Sequence, residues 1–269
     1  MIVNTIARWA DSITESVLFP SRSARKRLAF RYLRGVGLEI GALQHPLQVP
    51  AGVTVTYVDY ASREENIKKY PGIDPASIVV TDHIEDGFEL SGIQAASQDF
   101  IIVNHVLEHS PNPLQALLNW DRVLRKNGIL FITLPNGRKS FDYGRAITTF
   151  EHIAEDYELV KAGDFTTFAA RNREHYREFV EISIPNLHKV QRNLKTYRTE
   201  GERNAYIDKL SREVSTDAHF HVFTKSSLVT VLNAIIADYA QNLSLREIAR
   251  SGFGFEYVVI LEKSGSIKS

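Results

Sequence analysis

The 269-residue chain contains no cysteine, which excludes disulfides, a thiolate nucleophile and any cysteine-based zinc site. It has no net charge, because 32 acidic residues match 32 basic ones. No general positive field is available to hold a phosphate backbone, and a nucleic-acid partner is not expected. No apolar run approaches the ~20 residues of a membrane span. The opening Met1-Ile2-Val3-Asn4-Thr5-Ile6-Ala7-Arg8 lacks the basic-then-apolar layout of a signal peptide, so a cytoplasmic location is the expectation. Internal repeats and low-complexity segments are also absent. No Gly-x-Gly-x-x-Gly fingerprint follows the first strand-like segment, which weighs against a dinucleotide-dependent oxidoreductase.

What is present is a hydrophobic fraction of 43% with 24% charged residues, enough to build one large α/β domain with an elaboration. The most informative stretch is 99–136. It reads as a buried strand (Phe100–Val103), a polar turn (Asn104-His105-Val106-Leu107-Glu108-His109), an amphipathic helix from Pro113, a stop containing Gly128, and a second buried strand (Ile129–Leu134). This is a parallel βαβ unit whose polar residues gather where the first strand ends. In open α/β sheets that carboxyl edge binds ligands.

Upstream, short apolar segments at Gly37–Gly41, Val53–Tyr60 and Ile78–Asp82 read as three more strands. Residues 1–34 read as helical, broken near Phe19-Pro20-Ser21. Their basic run (Arg22, Arg25, Lys26, Arg27, Arg31, Arg34) is expected to be the solvated face of a helix packed on the sheet, with membrane-surface contact through 22–34 as the lesser alternative. Residues 136–224 are charged and aromatic and too long for a simple loop, so a mostly helical cap insertion is expected there. A helix at about 226–240 and strands at about Ser244–Ala249 and Phe255–Leu261, joined by a short Gly-containing turn, close the chain. The expected fold is a Rossmann-like, doubly wound seven-stranded sheet of five parallel strands plus a C-terminal antiparallel hairpin. The ligand-binding domain takes 35–135 and 225–269.

Polar residues or glycine end four successive strands. Leu38-Glu39-Ile40-Gly41-Ala42 closes the first, and Asp59-Tyr60 closes the second eighteen residues after Gly41. Asp82-His83 closes the third and Asn104-His105 the fourth. A glycine gives access to positive φ and to close approach of a ligand, and an acid at the position of Asp59 is placed to accept hydrogen bonds from ribose hydroxyls.

These segments, with Phe141-Asp-Tyr-Gly-Arg145, Glu151-His-Ile-Ala-Glu-Asp-Tyr157, Glu174-His-Tyr-Arg-Glu-Phe-Val180 and His219-Phe-His-Val-Phe-Thr224, resemble class I S-adenosylmethionine-dependent methyltransferases. The match is to a bacterial group often associated with saccharides. The resemblance implies S-adenosyl-L-methionine as cofactor, held by Glu39, Gly41, Ala42, Asp59, Tyr60, Asp82, His83, Asn104 and His105. In the related enzymes the acid after the third strand holds the adenine amino group. Leu43-Gln44-His45-Pro46 stands where the family's second motif glycine is usual.

The implied function is methyl transfer, with O-methylation of a small-molecule or saccharide hydroxyl as the leading reading. A hydroxyl acceptor benefits from a base, and histidine is the usual one near neutral pH. The candidates among nine histidines are His109, His152, His219 and His221. Extended backbone at His219-Phe220-His221 sends the two imidazoles to opposite faces. Asp142, Arg145, Glu151 and His152 form a polar set beyond the fifth strand, either as a solvated, salt-bridged helix entry or as an acceptor grip by Arg145. His105-Val-Leu-Glu108-His109 is similar to Glu-x-x-Glu-His segments that ligate divalent metals in ubiquinone-pathway O-methyltransferases, so a metal on His105, Glu108 and His109 stays open. The alternatives to a methyltransferase are an NAD-dependent oxidoreductase and a catalytically inactive cofactor-binding partner protein. Oligomeric state is not set by these features.

Overall fold

The computed structural model describes residues 21–264, except 193–194, 214–216 and 252–253. The expected helix within 1–20 and its break near Pro20 lie outside the described residues. Helix α1 (Ser21–Tyr32) leads into β1 (Val36–Ile40), β2 (Thr54–Asp59), α2 (Arg63–Lys69), β3 (His83–Ile84) and β4 (Gln98–Asn104). Helix α3 (Pro113–Val123), the long β5 (Leu124–Pro135), then α4 (Phe150–Ala162) and α5 (Phe165–Glu178) follow. A π-helical turn (Phe179–Ser183) joins α5 to α6 (Ile184–Val190), and α7 (Glu200–Arg212), α8 (Lys225–Asp238), β6 (Leu243–Ser251) and β7 (Glu256–Lys263) complete the chain.

The seven strands lie in the order β3-β2-β1-β4-β5-β7-β6. Strands β1 to β5 are parallel, and β7 runs antiparallel between β5 and β6. This is the Rossmann-like sheet with its antiparallel C-terminal pair, as expected.

The uninterrupted apolar runs are explained by two covered faces. Ile101 and Val103 of β4, Leu130 and Ile132 of β5 and Val259 of β7 face one core, built with Leu117 and Trp120 of α3 and Leu228 and Leu232 of α8. Phe100, Ile102, Phe131, Val258 and Ile260 face a second core closed by Leu28, Ala29 and Leu33. The N-terminal helix therefore uses its apolar side on the sheet. Helix α3 starts where Asn112 accepts the Gln115 N–H and Pro113 occupies the first turn, where a missing N–H costs little.

One strand differs from expectation. The third strand is His83–Ile84, not Ile78–Asp82. Residues 75–77 form a single 3-10 turn, and in the segment after it the Val79 N–H goes to the Leu43 carbonyl, outside the sheet, while the Asp82 N–H is the first to reach β2, at the Tyr57 carbonyl. Pairing with β2 begins only when His83 comes level with Val58.

The segment 136–224 is helical, as expected. Phe141, Tyr176, Phe179, Val180, Ile184, Leu187, Ile207, Leu210 and Phe220 form a core of their own. It is tied to the sheet by residues 218–223. Gly137 N–H donates to the Phe223 carbonyl, and Phe220 and His221 N–H both reach the Glu108 carbonyl. A β-carbon on Gly137 would stand 2.2 Å from Val222, so only glycine permits this approach.

Candidate active site

Glu39 ends β1 fully buried. The Leu47 N–H donates to both carboxylate oxygens at 3.0 Å, and Asn104 Nδ2 donates at 3.2 Å. Burial outweighs these bonds and pushes Glu39 up to about 7. Asn104 is held in turn by the Thr133 hydroxyl at 2.6 Å. Glu39 thus pins the loop after β1 to the end of β4. Gly41 takes φ +65, and an added β-carbon would sit 3.3 Å from Val106. Asp59 is half-buried and accepts the Ala61 N–H at 3.2 Å, while its neighbour Tyr60 is exposed. Asp82 stands two residues before the end of β3 and accepts the Tyr57 N–H at 2.8 Å, so Ile84 is the residue paired with Asp59. Glu39, Gly41, Ala42, Asp59 and Asn104 are brought together on the carboxyl edge of neighbouring strands, with Tyr60 beside them.

His105 takes φ +54, so no helix begins there. Its ring lies between two carboxylates, Glu256 Oε2 at 2.9 Å and Glu108 Oε1 at 3.3 Å. Arg25 of α1 pairs with Glu256 and touches the same ring. Burial opposes protonation of His105, yet Glu108 and Glu256 prevail and raise it to about 9. Arg25 is therefore not part of a solvated basic face. Arg27 and Arg31 of the same helix pair with Glu247.

The turn after β4 is the 3-10 turn Leu107–His109. Glu108 is fully buried, and neither carboxylate oxygen meets a hydrogen-bond donor at good geometry. Burial pushes it up, but the imidazoles of His105, His219 and His109 win and hold it below its usual range. His109 Nδ1 donates to the Ala218 carbonyl at 3.1 Å. His219 packs edge-on to His109, ring centroids 4.6 Å apart, and its Nδ1 donates to Asp142 Oδ2 at 2.6 Å.

Asp142 also accepts from Ser183 Oγ at 2.8 Å and from Arg145 Nη1 at 3.0 Å. Ser183 ends the π-helical turn, a device often found at functional sites. Arg145 is buried and donates to the His219 and Phe220 carbonyls. Of the sequence readings of Arg145, the salt-bridged one holds in part: the side chain is not solvated, but it pairs with Asp142 and Glu178 and clamps the segment that carries His219.

Glu108, His109 and His219 bring potential metal-ligand atoms within 4.8 Å of one another. His105 is not in this set, a correction to the metal alternative drawn from the sequence. The buried carboxylate, with no well-formed hydrogen bond, fits a divalent cation, and each histidine has a carbonyl or carboxylate behind it to fix its tautomer, as ligating imidazoles do.

His221 points away from His219, as the alternation requires. It is fully buried and joins His152 of α4 and His175 of α5. The four histidine candidates are therefore divided between two clusters, His109 with His219 and His152 with His221. Sequence reasoning missed Arg25, Glu256 and Ser183 as site residues, and left His175 unassigned. The first two come from the far ends of the chain, and no spacing signal links them.

Residues 35–132 match the family model described as a methyltransferase domain. The ubiquinone biosynthesis O-methyltransferase of Xanthomonas oryzae pv. oryzae is 26% identical over 159 residues. That alignment covers 59% of this chain and 60% of the relative, so the chain spans about three fifths of the curated relatives it matches. Among solved structures, a Rhodobacter sphaeroides protein provisionally described as a Zn-dependent alcohol dehydrogenase superposes with TM-score 0.51 at 13% identity, covering 91% of this chain and 90% of that one. A Thermotoga maritima SAM-dependent methyltransferase gives TM-score 0.49 at 15% identity, covering 97% and 96%. At 13% identity the Rhodobacter likeness shows a shared fold, which carries no chemistry by itself.

Proposed function

We propose that this chain, whose residues 35–132 match a methyltransferase-domain family model, is a class I S-adenosylmethionine-dependent methyltransferase that transfers the methyl group to a hydroxyl of a small molecule or saccharide. The observation that carries the oxygen-directed reading is the Asp142–His219 pair at 2.6 Å. The carboxylate holds the Nδ1 proton, which leaves Nε2 as the ring atom able to accept one. A sulfonium donor supplies the reactivity itself, so the protein's task is to align the acceptor and receive its proton. His109, edge-on to His219, completes the polar wall.

The cofactor would lie along Gly41, Ala42, Asp59, Tyr60 and Asn104, with Glu39 fixing the loop, Asp59 on the ribose, and Asp82, His83 and His105 at the margins. The O-methyltransferase relative supports the oxygen-directed reading, and the saccharide class follows the sequence resemblance. Residues 136–224 would cap the acceptor side. In the described residues no helix is long and apolar enough to cross a membrane. Leu28, Ala29 and Leu33 are buried on the sheet while Phe30 is exposed, so the sheet takes most of the apolar side of this helix.

The buried Glu108 carboxylate, paired with His105 but without a well-formed hydrogen bond, favours a second reading of the same wall. A divalent cation on Glu108, His109 and His219 would orient the acceptor oxygen, with Asp142 behind His219. Methyl transfer from labelled S-adenosylmethionine to a panel of hydroxyl acceptors, with and without chelator, separates the two readings. Labelled product untouched by chelator supports the base; loss restored by added cation supports the metal. A panel labelled only at nitrogen or carbon acceptors defeats the oxygen-directed proposal.

A further inference from the structure

We propose that His152, His175 and His221 form a second site, for one divalent transition-metal ion of the zinc class, separate from the Glu108 wall. Three distant pieces of chain converge there: the first turn of α4, the last turn of α5 and the segment 218–223. Their ligand nitrogens all lie within 4.8 Å of one another, and His152 Nε2 stands 3.0 Å from His175 Nε2. Tetrahedral coordination at ordinary zinc–nitrogen lengths needs about 3.3 Å between ligand atoms, so a few tenths of an ångström of movement admits an ion.

The second observation is His221 itself. It has no exposed surface, neither ring nitrogen meets a partner at good hydrogen-bond geometry, and the Ser110 backbone bears on the ring as a weak acceptor. A neutral imidazole buried with both nitrogens unsatisfied is costly unless something binds it. A hydrogen-bonded relay does not remove the cost. His152 can give one proton to His175, and that bond leaves His221 as it was. Burial pushes all three histidines down, His175 to about 3; neighbouring histidines add to this in His175 and His221, while in His152 Asp156 opposes it. All three are therefore neutral, the form that ligates.

Three neutral nitrogens with no cysteine select zinc, cobalt, nickel or copper over magnesium or calcium, which require oxygen ligands. A triad also leaves one coordination position for water or an incoming oxygen. Nearby, Asp156 is fully buried, with Oδ2 3.2 Å from His152 Nε2 but in no well-formed hydrogen bond, and supplies a compensating charge.

One contact opposes loading as the chain stands. Arg171 Nη2 donates to His152 Nδ1 at 3.0 Å, which puts the His152 proton on Nε2. Taking up an ion requires that proton on Nδ1, with Arg171 turning to its other partners, Glu155 and Asp156.

The test is titration of the whole purified chain with Co²⁺ and Zn²⁺, followed by calorimetry and by the visible d–d absorption of cobalt. Because it reads metal uptake, its outcome does not depend on whether the chain binds S-adenosylmethionine. We expect one tetrahedral cobalt signal that weakens at least ~10-fold in affinity in His152→Ala and His175→Ala. It should persist in Glu108→Gln and become no weaker in Arg171→Gln. His152 is half-exposed at a helix start, so its variant keeps the test open if His221→Ala does not fold. No cobalt uptake, uptake unchanged in the histidine variants, or a signal lost in Glu108→Gln would each overturn the proposal.

Discussion

His219 and Asp142, 77 positions apart in sequence, meet through a 2.6 Å hydrogen bond with both side chains almost wholly buried. Arg145, Ser183 and the Ser140 hydroxyl hold the carboxylate in place. The arrangement fixes one imidazole tautomer. Replacing the acid by its amide keeps the shape and removes that control.

Asp142→Asn and His219→Ala are therefore expected to lower methyl transfer by about 10²–10⁴, the usual range for a lost general base. Cofactor affinity should stay within about threefold, because neither residue lies among the strand-end groups assigned to the nucleoside. Initial rates with parallel S-adenosylhomocysteine binding check this. Equal loss of both quantities would show a folding defect instead.

His105 supplies a pH dependence. Its folded value is raised to about 9 by Glu108 and Glu256 against the opposing effect of burial. The stabilisation from its charge is complete below the unfolded value near 6.5 and is lost as pH rises through about 9. Thermal unfolding between pH 6 and 10 should show the wild type losing Tm relative to His105→Gln across that window. Parallel curves would remove the ion pair from the stability account.

Trp120 tests the packing beneath the site. It is fully buried in the sheet–helix core, and its indole N–H donates to the Gly87 carbonyl at 2.8 Å. Trp120→Ala is expected to cost about 3–5 kcal/mol by cavity formation. The same change should weaken cofactor binding little in the fraction that remains folded, as urea unfolding and binding measured together would show.

The sheet was legible because its strands are buried on both faces. Phe100–Val103 and Ile129–Leu134 are continuous apolar runs, and Asn112-Pro113 announces the helix between them. The third strand was not, because two residues, His83 and Ile84, carry no period. The alternation at His219-Phe220-His221 gave the opposite facing of the two rings but not their destinations. Those depend on Gly137 admitting Val222 and on Arg145 gripping the segment 219–220, contacts between segments about 75 to 85 residues apart. Arg25 and Glu256 meet across 231 positions, beyond the reach of any local pattern.

Asp59 carries the cofactor assignment most directly, since it is half-buried at the end of β2 beside Gly41, whose N–H donates to the Val58 carbonyl. Asp59→Ala should remove charge-assisted hydrogen bonds to the ribose worth about 1.5–3 kcal/mol, or roughly tenfold to a hundredfold in affinity. Unchanged binding in this variant would move the ribose elsewhere.

Calorimetric titration of the wild-type chain with S-adenosylhomocysteine and, separately, with NAD tests the central claim. The account predicts saturable one-to-one binding of S-adenosylhomocysteine and none of NAD. Binding of NAD with no heat from S-adenosylhomocysteine would contradict it and make the fold that of a dinucleotide enzyme.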